Sequence, residues 1–175
     1  MLRELAIRDI ILIEALDLSF GPGLSVLTGE TGAGKSILLD SLGLALGGRA
    51  SEGLVRAGAE RGSVAARFDL ERDHPARAIL EEQGIGIEGD ELVLRRSIAA
   101  DGRTRAFIND EPVSVGLLRR VGETMVEIHG QHSEVGLLDP STHCGLLDAF
   151  AGAGGTVAEV AAAYAAARAA RDEAE

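Results

Sequence analysis

From Leu2 to Phe20 apolar positions alternate loosely with polar ones: Leu5 and Ile7, then the run Ile10 to Ile13, then Leu16, Leu18 and Phe20. A period near two belongs to half-buried strands, so the pattern predicts two adjacent strands with a turn near Asp9 or Glu14. Gly21-Pro22-Gly23 is a turn, and Leu24 to Leu27 reads as a short buried strand. The period then changes. Between Lys35 and Leu46 the residues Ile37, Leu38, Leu42, Leu44, Ala45 and Leu46 wrap most of the way round a helix, as expected at the centre of an α/β domain. Gly47-Gly48 ends it with a left-handed cap.

Arg49 to Gly62 is polar and Gly-rich, with Leu54 and Val55 as small apolar anchors, and reads as an ordered surface loop. Val64, Ala66, Phe68 and Leu70 alternate with polar or small residues and predict a strand with one wet face. Asp73, as cap, and Pro75 open a helix through Gln83. Glu91 to Ile98 and Arg103 to Asn109 flank an Asp101-Gly102 turn and form a hairpin. Ser114 caps a helix to Val121, and Thr124 to His129 is a further strand. Asp139-Pro140 opens a helix from Ser141 to about Phe150. Thr156 to Glu159 forms a capping box at the head of an Ala-rich helix reaching Glu175. That helix carries no stop signal, so it is expected to continue in a longer chain.

Composition adds bounds to this pattern. A chain of 175 residues with 46% hydrophobic content and mean hydropathy +0.13 can bury a real core. No stretch of eighteen apolar residues occurs, and the amino terminus has no secretory leader pattern, so a cytoplasmic protein with no membrane partner is expected. Cys144, the one cysteine, makes no internal disulfide and reads as a small buried side chain. The net charge of −11 disfavours a surface that coats nucleic acid generally, so any contact with DNA must be local. Lys35 is the only lysine; every other cation is Arg.

That lysine sits in Gly29-Glu30-Thr31-Gly32-Ala33-Gly34-Lys35-Ser36, a match to the phosphate-binding loop G-x-x-x-x-G-K-[ST] between an apolar run and a helix. Gly32 and Gly34 let the backbone turn tightly, so that N–H groups and the positive end of the helix face phosphate oxygens. Lys35 then reaches the β- and γ-phosphates of ATP, and the Ser36 hydroxyl holds Mg²⁺; Ile37 opens the helix beside them. The loop alone leaves the chemistry open. The base-reading Asn-Lys-x-Asp motif of GTPases is impossible, because Lys35 is the only lysine. A small-molecule kinase and an ATP-binding-cassette transporter subunit remain as alternatives.

Downstream, Glu127-Ile128-His129 leads to Gln131, which at a sheet's carboxyl edge meets Mg²⁺ and the attacking water. This resembles the Q-loop of ATP-binding-cassette ATPases. Taken with Leu27 to Ser36, Gly102-Arg103, Ala106-Phe107-Ile108-Asn109, His129-Gly130-Gln131-His132, Leu137-Leu138 and Leu146-Leu147-Asp148, the chain resembles the RecN family. These are double-strand-break repair ATPases of the structural-maintenance-of-chromosomes type.

The resemblance implies a P-loop NTPase of the ATP-binding-cassette type, with a mixed sheet around the central phosphate-loop helix. It implies residues 1–150 as the amino-terminal lobe of an ATPase head and 151–175 as the start of a coiled-coil arm. The partners it implies are the carboxy-terminal half of the same head, a second head in a homodimer, and DNA. Head engagement would be driven by ATP, with Lys35 and Gln131 catalytic and Gln131 also at the metal. No strand here ends in the paired carboxylates of a Walker B motif, and no signature motif is found, so this fragment is expected to hydrolyse almost nothing by itself. Two departures bear on the turns: Asp9-Ile10 stands where Asn-Phe is usual, and Asn109-Asp110 replaces Asn-Gly.

Arg56 is, by the same resemblance, a candidate nucleotide or DNA contact; as a residue of a polar loop it is equally a solvated Arg. Arg95, Arg96, Arg103 and Arg105 make the hairpin basic, which allows contact with a DNA backbone or pairing with carboxylates, pairing being the default. His129, His132, His143 and Cys144 match no zinc framework, and the two histidines near Gln131 serve better to orient its loop.

Overall fold

The computed structural model describes residues 1–28, 34–51, 53–87, 89–128 and 140–174. Two compact units are present, Met1–Ile128 and His129–Glu175. The first is built on a sheet of β1 (Leu2–Ile10), β2 (Ile13–Ser19), β3 (Arg61–Asp69), β4 (Glu91–Ala99), β5 (Thr104–Ile108) and β6 (Glu111–Val113). Their order is β2-β1-β3-β4-β5-β6, and every neighbouring pair is antiparallel. The mixed sheet expected from the sequence is therefore antiparallel throughout the described residues. Helices α1 (Lys35–Ala45) and α3 (Val115–Met125) cover the sheet, and α2 (Pro75–Glu81) packs against α3.

Alternation decides which face is covered. On β3, Val64, Ala66 and Phe68 are buried, and on β4, Leu92, Leu94 and Ile98 are. They meet Ser41, Leu42, Leu44 and Ala45 of α1 and Leu118 and Val121 of α3 in one core. Each fully buried large apolar side chain stabilises the fold by about 1.5–3 kcal/mol relative to exposure. The helices are set very close. At Gly122 a Cβ would lie 2.3 Å from the carbonyl oxygen of Leu46, so only glycine admits the end of α1 there.

Turn chemistry accounts for the connections. Asn109 and Asp110 both have positive φ, 47° and 66°, as a two-residue type I′ hairpin turn demands. Asn-Asp therefore serves where Asn-Gly is usual, and Asn109 Oδ1 accepts a bond from the Val93 N–H at 2.8 Å. Between β1 and β2 the turn falls at Ile11-Leu12, not at Asp9 or Glu14; Asp9 and Ile11 are left-handed, with φ 49° and 51°. The 54–56 segment accounts for this conformation. Ile11 N–H donates to the Leu54 carbonyl at 2.8 Å, Arg56 N–H to the Asp9 carbonyl at 2.9 Å, and Ile10 bridges Val55.

Other local expectations are corrected as well. Leu24 to Leu27 is neither strand nor buried: Leu24 is 92% exposed and Val26 72%. A strand is made by neighbours, and among the described residues no strand pairs with the run. Thr124 to Ile128 is not a strand either, because α3 runs to Met125, past Val121; Val126 N–H still reaches back to the Gly122 carbonyl, and His129 lies outside the described residues. The apolar spacing of Leu118, Val121 and Met125 is helical. His74, not Asp73, caps α2, its Nδ1 accepting from the Ala76 N–H at 3.2 Å, and this helix ends at Glu81.

The second unit holds α4 (Pro140–Phe150) and α5 (Gly154–Ala174). Gly152 at φ 65°, with Gly152 N–H on the Ala149 carbonyl and Ala153 N–H on that of Asp148, closes α4 in a Schellman turn. Because α5 then starts at Gly154, Thr156 lies inside the helix instead of capping it. Cys144 is exposed on α4, not buried. Among the described residues no helix is long and apolar enough to cross a membrane.

Candidate functional site: the head of the first helix

α1 opens at Gly34, which has φ 92° and ψ −9°, a left-handed conformation that a side chain would strain. No described residue comes within 4 Å of the position where its Cβ would lie, so the backbone conformation is what asks for glycine here. As its cap residue, Gly34 has no side chain with which to bond the first turn. The backbone N–H groups of the first turn and the positive end of the helix dipole, at Lys35, Ser36 and Ile37, are complementary to phosphate oxygens. Lys35 is half-buried, Ser36 is exposed, and Ile37 packs partly against the core, which fixes the direction of the helix. Gly29, Glu30, Thr31, Gly32 and Ala33 lie outside the described residues, as does Gln131. Of the expected loop, the structure thus describes Gly34, Lys35, Ser36 and Ile37.

Arg56 has definite partners. Its guanidinium lies 3.0 Å from Glu14 and 3.6 Å from Asp9, and its backbone belongs to the segment paired with the end of β1. The ion pairs hold the 54–56 segment on the β1–β2 turn. The hairpin arginines separate by face. Arg95 pairs with Asp110 at 2.8 Å and lies over the Phe107 ring, 4.3 Å from its centre. Arg103 pairs with Asp101 at 2.7 Å, and its N–H groups hold the Asp101 carboxyl below the usual carboxylate range, the backbone N–H first. Arg96 is different: it is buried among the apolar side chains of the sheet's inner face. The signal was available in the sequence, since Leu92, Leu94, Arg96 and Ile98 share one parity.

With this geometry in view, similarity to known proteins becomes informative. A family model described as AAA domain matches residues 4–115, well over half of the chain. DNA repair protein RecN of Halalkalibacterium halodurans is 48% identical over 152 residues, covering 87% of this chain and 27% of that protein. The chain is a member of the RecN family of AAA domain proteins. RecN of Bacillus subtilis is 43% identical over 153 residues, with 87% and 27% covered, and RecN of Vibrio cholerae is 42% identical over 152. The chain spans about a quarter of the length of these RecN relatives.

Solved structures agree on the fold. A chain from work on ATP-driven dimerization and DNA-stimulated activation of SMC ATPases superposes with a TM-score of 0.58 at 23% identity, covering 84% of this chain and 97% of that one. The Smc head domain with an extended coiled coil from Pyrococcus furiosus, bound to a domain of ScpA, gives 0.57 at 22%, covering 70% and 32%. This RecN-family chain has the P-loop NTPase fold of the ATP-binding-cassette type.

Proposed function

We propose that the chain is the ATP-binding part of a RecN-like ATPase that acts on DNA in double-strand-break repair and recombination. The observation that carries it is the left-handed Gly34 opening α1 at Lys35 and Ser36, in a chain 48% identical over 152 residues to a DNA repair protein RecN. ATP is bound by Gly29 to Ile37. Lys35 neutralises charge on the β- and γ-phosphates, and Mg²⁺ is held by the Ser36 hydroxyl with the Gln131 amide. The chemistry Mg²⁺ supplies when bound is neutralisation of charge on the transferred phosphoryl group. Gln131 links the γ-phosphate to movement of the head.

In this scheme residues 1–150 form the amino-terminal lobe, and 151–175 begin a coiled-coil arm. The carboxy-terminal half of the same head completes the site, and a second head closes over it as a homodimer on DNA, at the nucleoid in the cytoplasm. Arg56, paired with Asp9 and Glu14, is free to contact nucleotide or DNA only by exchanging those partners.

The test is nucleotide binding followed by turnover. The chain alone should bind an ATP analogue weakly in the presence of Mg²⁺ and hydrolyse almost none, while adding the candidate carboxy-terminal half in trans should bring DNA-dependent hydrolysis. Lys35→Ala should remove binding and turnover together. Full activity with Lys35→Ala, or rapid hydrolysis by the chain alone, would overturn the scheme; phosphoryl transfer to a metabolite would favour a kinase.

A further inference from the structure

Arg96 is 3% exposed, facing the core between Val64 of β3 and Ala106 of β5, and its Nε and Nη1 have no hydrogen-bond partner among the described residues. A guanidinium taken out of water is tolerated when it is paired and hydrogen-bonded, and seldom otherwise. Burial lowers its proton affinity from the ordinary arginine value, yet arginine stays charged at any physiological pH. A buried positive charge without a partner calls for an anion.

The side chain lines a cleft of about 400 Å³, and so do Arg49, Thr104, Gly116 and Arg119. Among the described residues no Asp or Glu lines it, in a chain whose net charge is −11. Arg119 stands 3.7 Å from Glu123, an exposed and loose pair that leaves the guanidinium free to turn. The first turn of α3, with Val115 and Gly116 at the cleft, adds the positive end of a helix dipole. The wall beside it is closely packed. At Gly47 a Cβ would lie 2.6 Å from the backbone nitrogen of Arg119, so α1 and α3 are in backbone contact there. This cleft is at the carboxyl end of α1, roughly 15 Å of helix rise from Lys35, and is therefore separate from the phosphate loop.

We propose that this cleft binds a phosphate group, either free or at the end of a chain, with Arg96 as its buried anchor and Arg49 and Arg119 closing over it. A single carboxylate brings one negative charge to three guanidinium groups. A phosphate monoester brings nearly two, with three oxygens to accept their N–H groups and the Thr104 hydroxyl. An internal phosphodiester brings one negative charge and is flanked by sugars on both sides, so a terminal phosphate is the better match in charge and in free oxygens.

The experiment titrates inorganic phosphate into the Lys35→Ala chain, which silences the phosphate loop, and follows ³¹P line width and thermal midpoint at constant ionic strength. Phosphate should bind and raise the midpoint in a concentration-dependent way. Arg96→Leu, an apolar side chain at an apolar position, should weaken binding at least about tenfold, since a charge-assisted pair is lost. The exposed pair Arg49→Gln and Arg119→Gln, which leaves the core untouched, should weaken it severalfold and serves as the readout if the leucine variant does not fold.

Displacement by pyrophosphate alone identifies a free phosphate ligand. Displacement by a 5′-phosphorylated oligonucleotide, but not by its 5′-hydroxyl counterpart, identifies a nucleic-acid end. Absence of binding, binding that is indifferent to Arg96 and to the Arg49/Arg119 pair, or equal displacement by acetate would overturn the proposal.

Discussion

Two apolar stretches, Leu24 to Leu27 and the β4 strand Glu91–Ala99, behave in opposite ways. β4 is paired along both edges, to β3 and β5, and is so well enclosed that even Arg96 is carried inside with Leu92, Leu94 and Ile98. Leu24 and Val26 pair with nothing in the sheet and stand 92% and 72% exposed. Side-chain hydrophobicity is greater in the second stretch. Partnership alone separates them: a strand's N–H and C=O groups must be satisfied by neighbours before its side chains can be buried. An exposed apolar run of this kind is where the carboxy-terminal half proposed above can be tested for pairing.

This contrast can be broken at three points. The largest effect is expected from Phe68→Ala in β3, which removes the bulkiest fully buried side chain of the enclosed sheet; it should cost about 3–5 kcal/mol in urea unfolding. A loss below about 1 kcal/mol would mean that the sheet is not the cooperative core. Arg96→Leu should act in the opposite direction. In phosphate-free buffer it relieves an unpaired buried charge and should stabilise the chain by about 1–3 kcal/mol. A clear destabilisation would show that the guanidinium is satisfied internally. The smallest effect belongs to Val26→Ser, which should change stability by no more than about 0.5 kcal/mol in this chain, because an exposed side chain has little to lose. With the candidate carboxy-terminal half added, the same substitution should become costly; if it stays neutral, the uncovered run is not where that half pairs.

Legibility in the sequence follows the range of the interactions. The β3 and β4 alternations and the Asp101-Gly102 turn are local patterns, and the hairpin they predict is present. The helix after Gly34 is likewise a local matter of period and glycine. Val126 to Ile128 looked like the end of a strand, and α3 took Thr124 and Met125 because Leu118, Val121 and Met125 pack on one helical face. His74 displaced Asp73 at the α2 cap through a single acceptor placed at the right distance from Ala76, a difference of one residue that propensity does not resolve.

What the sequence by itself determined is the head of α1, where a left-handed glycine, a lone lysine and a serine follow one another and need only backbone conformation to converge. It also determined which face of β3 and β4 is apolar, and it placed one arginine on that face. Tertiary structure alone decided that Arg95 finds Asp110 and Phe107 while its neighbour finds no partner among the described residues, that Arg56 clasps Glu14 across 42 residues and Asp9 with it, and that Leu24 to Leu27 is exposed. The physical reason is the same in each case. Local pattern sets the direction in which a side chain points, and the partner it meets there is supplied by chain distant in sequence.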